Sequence, residues 1–367
     1  MNLRFIEIKT KKRAEKPDLS TSILIRLLSL ALGLGFAGLI FLAQGVNPIL
    51  LYIGIFRVAF FSPYGLAETI SRVIPLLLIA VGLAIPFRAK IDNIGAEGQF
   101  LVGAIAATGV AFAFASLPAA LLVPLMFLAG FAMGALYAIP VAIFRVKGEF
   151  KGSDVVLSFL MVFPAYLLIQ YLVNGPWRDP EGYQFPQTPI FPEAAQIWRI
   201  PDTRIHLTII LGAALLVLVY HFLIRTRDGI PETKLGYEIN VMGQNAEAGE
   251  AAGINFLKIA LFTMIMSGGM AGLAGVGEVA GVFYRLRPEL STGLGFTGIV
   301  VAWLGGLNPL GILVSSIFFA GLLAGGVEIQ IAGLPVTVID MFNGSILFFV
   351  LLAEFFLRYQ VEWRLLR

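Results

Sequence analysis

The chain is punctuated by apolar runs of about 20 residues, the length a helix needs to cross the hydrocarbon core of a bilayer. No other feature restricts its fold as strongly. Inside lipid every backbone N–H and C=O must find a partner within the protein, and unalternating runs of this length do so as helices. Charge is scarce: 13% of residues are Asp, Glu, Lys or Arg, against about 25% in a soluble domain. With 58% hydrophobic residues, the fold class expected is an all-α polytopic membrane protein of about ten transmembrane segments. Forty glycines fit closely packed membrane helices. There is no cysteine, which excludes disulfides, thiol catalysis and Cys-ligated metals. Two histidines, His206 and His221, leave little room for a histidine metal site, and no metal is expected. The net charge of +3 sits at span ends, which reads as topology and not as a nucleic-acid surface.

Taken in order, 1–20 is a basic cytoplasmic segment, and the transmembrane domain is expected over 21–358. The first span, 23–43, is longer than a signal-peptide core and is read as retained. Residues 45–67 carry Pro48 and Pro63 and read as an external connection. Further spans are placed at 67–87, from the 91–107 stretch to 115, and at 118–144, 154–173 and 205–224. Those at 256–283, 293–306, 311–329 and 336–357 follow; the run at 293–306 is too short to cross alone. An aromatic, proline-rich loop, 174–204, is placed outside on the membrane surface. The polar segment 225–255 is placed in the cytoplasm, as is the tail 359–367. With both termini inside, 19 of the 26 Lys and Arg fall in cytoplasmic segments, which supports that orientation in a cell membrane. The Gly-interrupted runs third and eighth in order hint at an inverted repeat pairing spans 2–5 with 7–10, and such paired breaks point to a central pathway.

Three stretches carry more than packing. The run 91–107, IDNIGAEGQFLVGAIAA, starts with the capping residues Asp92 and Asn93 and sets Glu97 and Gln99 among Gly95, Gly98 and Gly103. Polar side chains and breakable backbone are costly among apolar spans, so this reads as a discontinuous helix facing a pathway. The plainer reading of Glu97 is that it satisfies a neighbouring helix. In 235–258, Asn245 is an N-cap, and Ala246, Glu247, Glu250, Ala251 and Ala252 form a short exposed helix closed by Gly253. A rigid helix between spans suits a push from a cytoplasmic motor; a solvated loop helix is the plain alternative. In 293–311, Gly295, Gly298, Gly305 and Gly306 permit tight contacts, and Asn308-Pro309 is a turn signal. Plain helix packing accounts for most of that stretch. No lysine follows a glycine, so there is no phosphate-binding loop of the G-x-x-x-x-G-K-[ST] kind.

NIGAEGQ at 93–99, GQNAEAGEAAGIN at 243–255 and GLGFTGIVVAWLGGLNPLG at 293–311 resemble the permease subunits of ABC importers in the branched-chain amino acid, ribose and nucleoside permease family. The likeness runs from about Ala67 to the C-terminus, and its first motif is similar to the nucleoside or simple-sugar branch fed by a Bmp-type lipoprotein receptor. It implies a type II importer-like fold and no enzyme activity in this chain. ATP and Mg would be bound by a partner ATPase subunit, with no cofactor here. A second, different permease and an extracytoplasmic solute-binding lipoprotein are implied as partners. Asn93, Gly95, Glu97, Gln99, Gly295 and Gly298 would lie on the solute path. Asn245 to Gly253 would couple to the ATPase. Asp92 stands where the family often has Phe or Leu, and Gly249-Glu250 where Ala-Arg or Ala-Lys is commoner; the second changes the charge of the coupling helix. Nucleosides are the expected solute, with simple sugars or branched-chain amino acids as alternatives. A carrier driven by an ion gradient would explain the broken spans but not the exposed helix. A membrane scaffold without transport would leave the polar residues at the third span without purpose.

Overall fold

The computed structural model describes residues 6–12, 18–147, 153–227 and 230–365. Arg13 and Lys16 of the N-terminal basic cluster, Lys151 of the expected basic turn, and Arg367 lie outside the described residues. The elements run β1 (Ile6–Lys12), α1 (Leu19–Ala43), α2 (Pro48–Phe61), α3 (Pro63–Arg88), α4 (Ala96–Ala113), α5 (Ala119–Lys147), α6 (Ser153–Leu160), α7 (Val162–Asn174) and α8 (Thr208–Val219). There follow β2 (Thr226–Arg227), β3 (Ile230–Pro231), α9 (Lys234–Gln244), α10 (Ala246–Ala251), α11 (Phe256–Glu278), α12 (Leu294–Leu304), α13 (Pro309–Gly325), α14 (Val327–Ile331), α15 (Val336–Arg358) and β4 (Tyr359–Leu365).

Among the described residues, eight helical stretches are long and apolar enough to cross a membrane. Pro48–Phe61 and Thr208–Ile224 are shorter apolar helices, and α12 has 11 residues, too few to cross alone. The chain is therefore a multi-pass helical membrane protein, with ten spans an approximate count. One boundary differs from expectation: 45–67 is not an open connection but is largely filled by α2. Proline misleads there. Pro48 and Pro63 both occupy the first helical position, where the missing N–H is no loss. The side chains of Asn47 and Ser62 take the orphan N–H groups of Ile49 and Gly65. The span placed at 154–173 is broken at Met161, between α6 and α7.

The chain divides into two compact units, 1–58 with 325–367 and 59–324. In the first, α1 lies along α15. A methyl at Gly33 would fall 2.9 Å from the Ile346 Cα, and the Ser345 hydroxyl donates to the Gly33 carbonyl at 3.2 Å. Phe41, Tyr52 and Phe342 cluster beside them, the Tyr52 hydroxyl donating to the Leu34 carbonyl. β1 pairs antiparallel with β4.

The second unit is built around α3, α4, α5 and α11. Every residue of α3 from Val73 to Phe87 is buried, as expected of a helix apolar on all sides. Helices α4, α5 and α11 cross backbone to backbone. A methyl at Gly272 of α11 would lie 2.1 Å from the Gly130 carbonyl oxygen of α5, and one at Gly103 of α4 would lie 2.4 Å from the Gly272 Cα. Gly130 and Gly134 on α5, and Gly268 and Gly272 on α11, are four apart, so each pair shares a helix face and admits close approach. The 174–204 segment is stitched to the stretch that follows α11. The N–H groups of Ile197, Phe191 and Thr188 donate to the carbonyls of Ala280, Tyr284 and Leu286 at 2.8, 2.8 and 3.0 Å. Phe191 and Ile197 are buried by that docking. Gly272→Leu should abolish recovery of monodisperse protein in detergent, whereas Gly35→Leu, with no atom within 4 Å of the added carbon, should leave the elution profile unchanged.

Candidate functional site

The chain leaves α3 through a closed turn. Lys90 takes a left-handed conformation with φ of 55°, and the N–H groups of Lys90 and Ile91 donate back to the carbonyls of Phe87 and Pro86. That is the usual helix stop, with lysine where glycine is common. Residues 89–95 then run as irregular backbone to the start of α4. Such backbone survives among membrane helices only when other elements satisfy it. The Asp92 N–H donates to Asp154 Oδ2 at 3.1 Å and the Ile94 N–H to Ser158 Oγ at 3.1 Å, both acceptors lying on α6. Asp154 is buried and ion-paired with Arg145 of α5 at 3.3 Å, and Arg145 also reaches the Lys90 carbonyl.

Asn93 does not cap α4, as its position in the sequence suggests. Gly95 occupies the cap position, and Asn93 is fully buried inside a closed amide pair. Its Nδ2 donates to Gln99 Oε1 at 2.8 Å and to Ser267 Oγ of α11 at 3.0 Å. Its Oδ1 accepts from Gln99 Nε2 at 3.0 Å and from the Gly95 N–H at 3.1 Å. Every donor and acceptor of the Asn93 amide is thus engaged. In this conformation neither amide is open to a solute; separating them would bare two amides and a hydroxyl together.

Glu97, in the first turn of α4, reaches the first turn of α12 instead. Its Oε2 accepts the Gly295 N–H at 2.6 Å, with Ser291 and the Gly293 backbone also placed to donate. A carboxylate at the positive end of a helix is well placed both as a cap and against the helix dipole. The starts of α4 and α12 therefore abut. Only glycine fits at 295, since a methyl there would lie 2.3 Å from the Glu97 nitrogen. Gly298 faces Ile79 of α3, and Gly95 faces the Ser158 carbonyl. The start of α4 thus makes two contacts, Asn93 and Gln99 with Ser267 of α11 and Glu97 with Gly295 of α12, with Gly98 turned toward α6–α7. Ser267 was missed in the sequence. Its signal is a hydroxyl beside Gly268-Gly269 in an otherwise apolar run.

The second predicted group lies on α10. Asn245 is the N-cap, its Oδ1 accepting from the Ala248 N–H at 3.2 Å. Glu247, Glu250, Ala251, Ala252 and Gly253 are exposed, and Ala246 is half-buried. Gly253 has φ of 83°, the left-handed stop expected of it. Helix α9 was not anticipated, although Leu235, Ile239 and Met242 follow helical spacing behind the capping Thr233. Glu97→Ala leaves the buried Gly295 N–H without its acceptor and should destabilise the purified protein by about 1–3 kcal/mol. Glu97→Gln keeps an acceptor in place and should fall between it and the wild type in detergent melting temperature.

Three relatives extend over nearly the whole chain. The glucose ABC transporter permease protein TsgB13 of Haloferax volcanii is 34% identical over 353 residues, covering 93% of this chain and 89% of the relative. The guanosine ABC transporter permease protein NupP of Bacillus subtilis is 32% identical over 336 residues, covering 89% and 92%. The nucleoside ABC transporter permease protein NupB of Lactococcus lactis is 30% identical over 337 residues, covering 89% and 90%. Residues 65–351 match the family described as branched-chain amino acid transport system, permease component. The chain belongs to that family of membrane permeases, as its three motifs implied.

Proposed function

We propose that this chain is the membrane-spanning permease subunit of an ATP-driven importer of nucleosides. The observation that carries the reading is near-full-length similarity to a guanosine permease and a nucleoside permease, at 32% and 30% identity. A second reading, a sugar such as glucose, is favoured by the 34% identity to the haloarchaeal permease. Both solutes present a ring of hydroxyls, which amides and a carboxylate recognise by hydrogen bonds.

In this reading both termini lie in the cytoplasm, in keeping with the distribution of Lys and Arg. Two permeases, this chain and a different paralogue, enclose the path. Asn93, Gly95, Glu97, Gln99, Gly295 and Gly298 border it, with Ser267 beside them. The exposed ridge of α10, from Asn245 to Gly253, docks into a separate cytoplasmic ATPase subunit, which binds ATP and Mg and does the chemistry. A solute-binding lipoprotein delivers the solute from outside. Access alternates as the ATPase closes and opens, and the Asn93–Gln99 pair separates when the path opens to solute.

Uptake of labelled guanosine, ribose, glucose and leucine tests this in vesicles holding the chain with its co-encoded ATPase, second permease and receptor. Guanosine uptake that requires internal ATP is expected. Glucose uptake without guanosine uptake would move the assignment to the sugar reading. Uptake sustained by an ion gradient alone would reject ATP coupling.

A further inference from the structure

Helix α12 is too short to cross a membrane, and its two ends are held by side chains on either side of the connection from α3 to α4. Glu97 holds the start, through the Gly295 N–H. Arg88, the last residue of α3, holds the other end: its Nε donates to the Leu307 carbonyl at 3.0 Å, just beyond the last turn of α12. The charges match the helix dipole at each end, a carboxylate at the positive start and a guanidinium at the negative finish. Among the described residues Arg88 forms no ion pair, so its charge is left to that helix end. Phe87, one residue earlier, stacks on Trp303 of α12, with ring centres 4.9 Å apart and planes 13° from parallel.

The main-chain carbonyl of Arg88 meets α9. A methyl at Gly243 would lie 1.9 Å from the Arg88 carbonyl oxygen, so α9 rests directly on the end of α3. Helix α10 rests in turn on α9, since a methyl at Gly249 would lie 2.4 Å from the Met242 sulfur. One residue therefore touches the α9–α10 hairpin with its backbone and the end of α12 with its side chain. A displacement of the hairpin reaches the α12 clamp through the Met242 side chain, the packed Gly243 and the Arg88 hydrogen bond.

We propose that Arg88 is a positioning residue for transport, which carries movement of the α9–α10 hairpin into α12 and so to the Glu97 junction at its far end. This rests on the reading of the chain as an ATP-driven permease. It adds a specific route, in which α9 and Arg88, and not the exposed face of α10 alone, determine how ATP hydrolysis is spent. Chains of packed side chains and hydrogen bonds can carry coupling of this kind, and Gly249–Met242, Gly243–Arg88, Arg88–Leu307 and Gly295–Glu97 form one.

The test is the number of ATP molecules hydrolysed per guanosine imported by the full reconstituted complex. Arg88→Ala should raise that ratio by about fivefold or more, the range of a typical coupling free energy. Arg88→Lys, which can still donate to the Leu307 carbonyl, should bring it back toward the wild-type value. Gly243→Ala, which drives α9 off the Arg88 carbonyl without touching the guanidinium, should raise it as well. A ratio unchanged in Arg88→Ala and Gly243→Ala, whatever the absolute rates, would overturn the proposal. Should Arg88→Ala fail to assemble, an unchanged ratio in Gly243→Ala would overturn it alone. A wild-type complex that shows no ATP-dependent uptake would reject the functional reading itself, and the relay with it.

Discussion

The hydrogen bond from the Gly295 N–H to the Glu97 carboxylate joins the starts of two helices that are 198 residues apart in sequence. Much of the second unit depends on it. Helix α12, about 16 Å long at 1.5 Å per residue, cannot satisfy its own ends by reaching water on both sides of a bilayer. The structure supplies the missing partners from the α3–α4 hairpin, Glu97 at one end and Arg88 at the other. Close approach is the condition for this, and glycine provides it at 295. Remove the carboxylate and the first turn of α12 keeps the Gly295 N–H unpaired in a buried place, at a cost of about 1–3 kcal/mol.

The same economy governs the irregular backbone before α4. Residues 92 and 94 would each leave an N–H unpaired, and α6 answers both, with Asp154 and Ser158. Asn93 and Gln99 answer each other. The result is a polar junction with no slack inside an apolar bundle, which is one way to hold a broken helix in a single conformation until something larger acts on it. The glycine crossing of α4, α5 and α11 holds the bundle at backbone distance around that junction. A junction of this kind is suited to two discrete states, because its bonds are formed together or exchanged together.

The fold class was legible because length and hydrophobicity decide it: runs long enough to cross, few charges, and basic residues at the ends. The break at 91–95 and the shortness of α12 were also legible, from glycines and polar residues where apolar helix should continue. Element ends beside proline were not. Pro48 and Pro63 look like breakers in a sequence, yet both open helices, because only the neighbouring Asn47 and Ser62 reveal the cap. Helix α9 was overlooked for the opposite reason. Its apolar spacing is plain, but it falls within a polar segment read as loop. Motif residues stand out in the sequence by their types; their partners do not. Asp154 and Ser158 become significant only when the fold brings them to the N–H groups of residues 92 and 94, and Ser267 only when it meets the Asn93 side chain. Asn93 shows the cost of local rules, since an Asn before a helix signals a cap, and here it spends its hydrogen bonds on Gln99, Ser267 and Gly95.

The central claim is that the start of α4, where Asn93 and Gln99 meet Ser267 of α11, lies on the solute's path and opens during transport. The chain has no cysteine, so Ser267→Cys places a single thiol there with little change in volume. Its reaction with a membrane-impermeant thiol reagent can be followed in the reconstituted complex. Ser267 is 1% exposed in the present conformation, so labelling should be slow at rest, rise when ATP and guanosine are both supplied, and fall again at saturating guanosine. Labelling that stays equally slow at rest and during turnover would contradict the account and leave the junction as a purely structural joint.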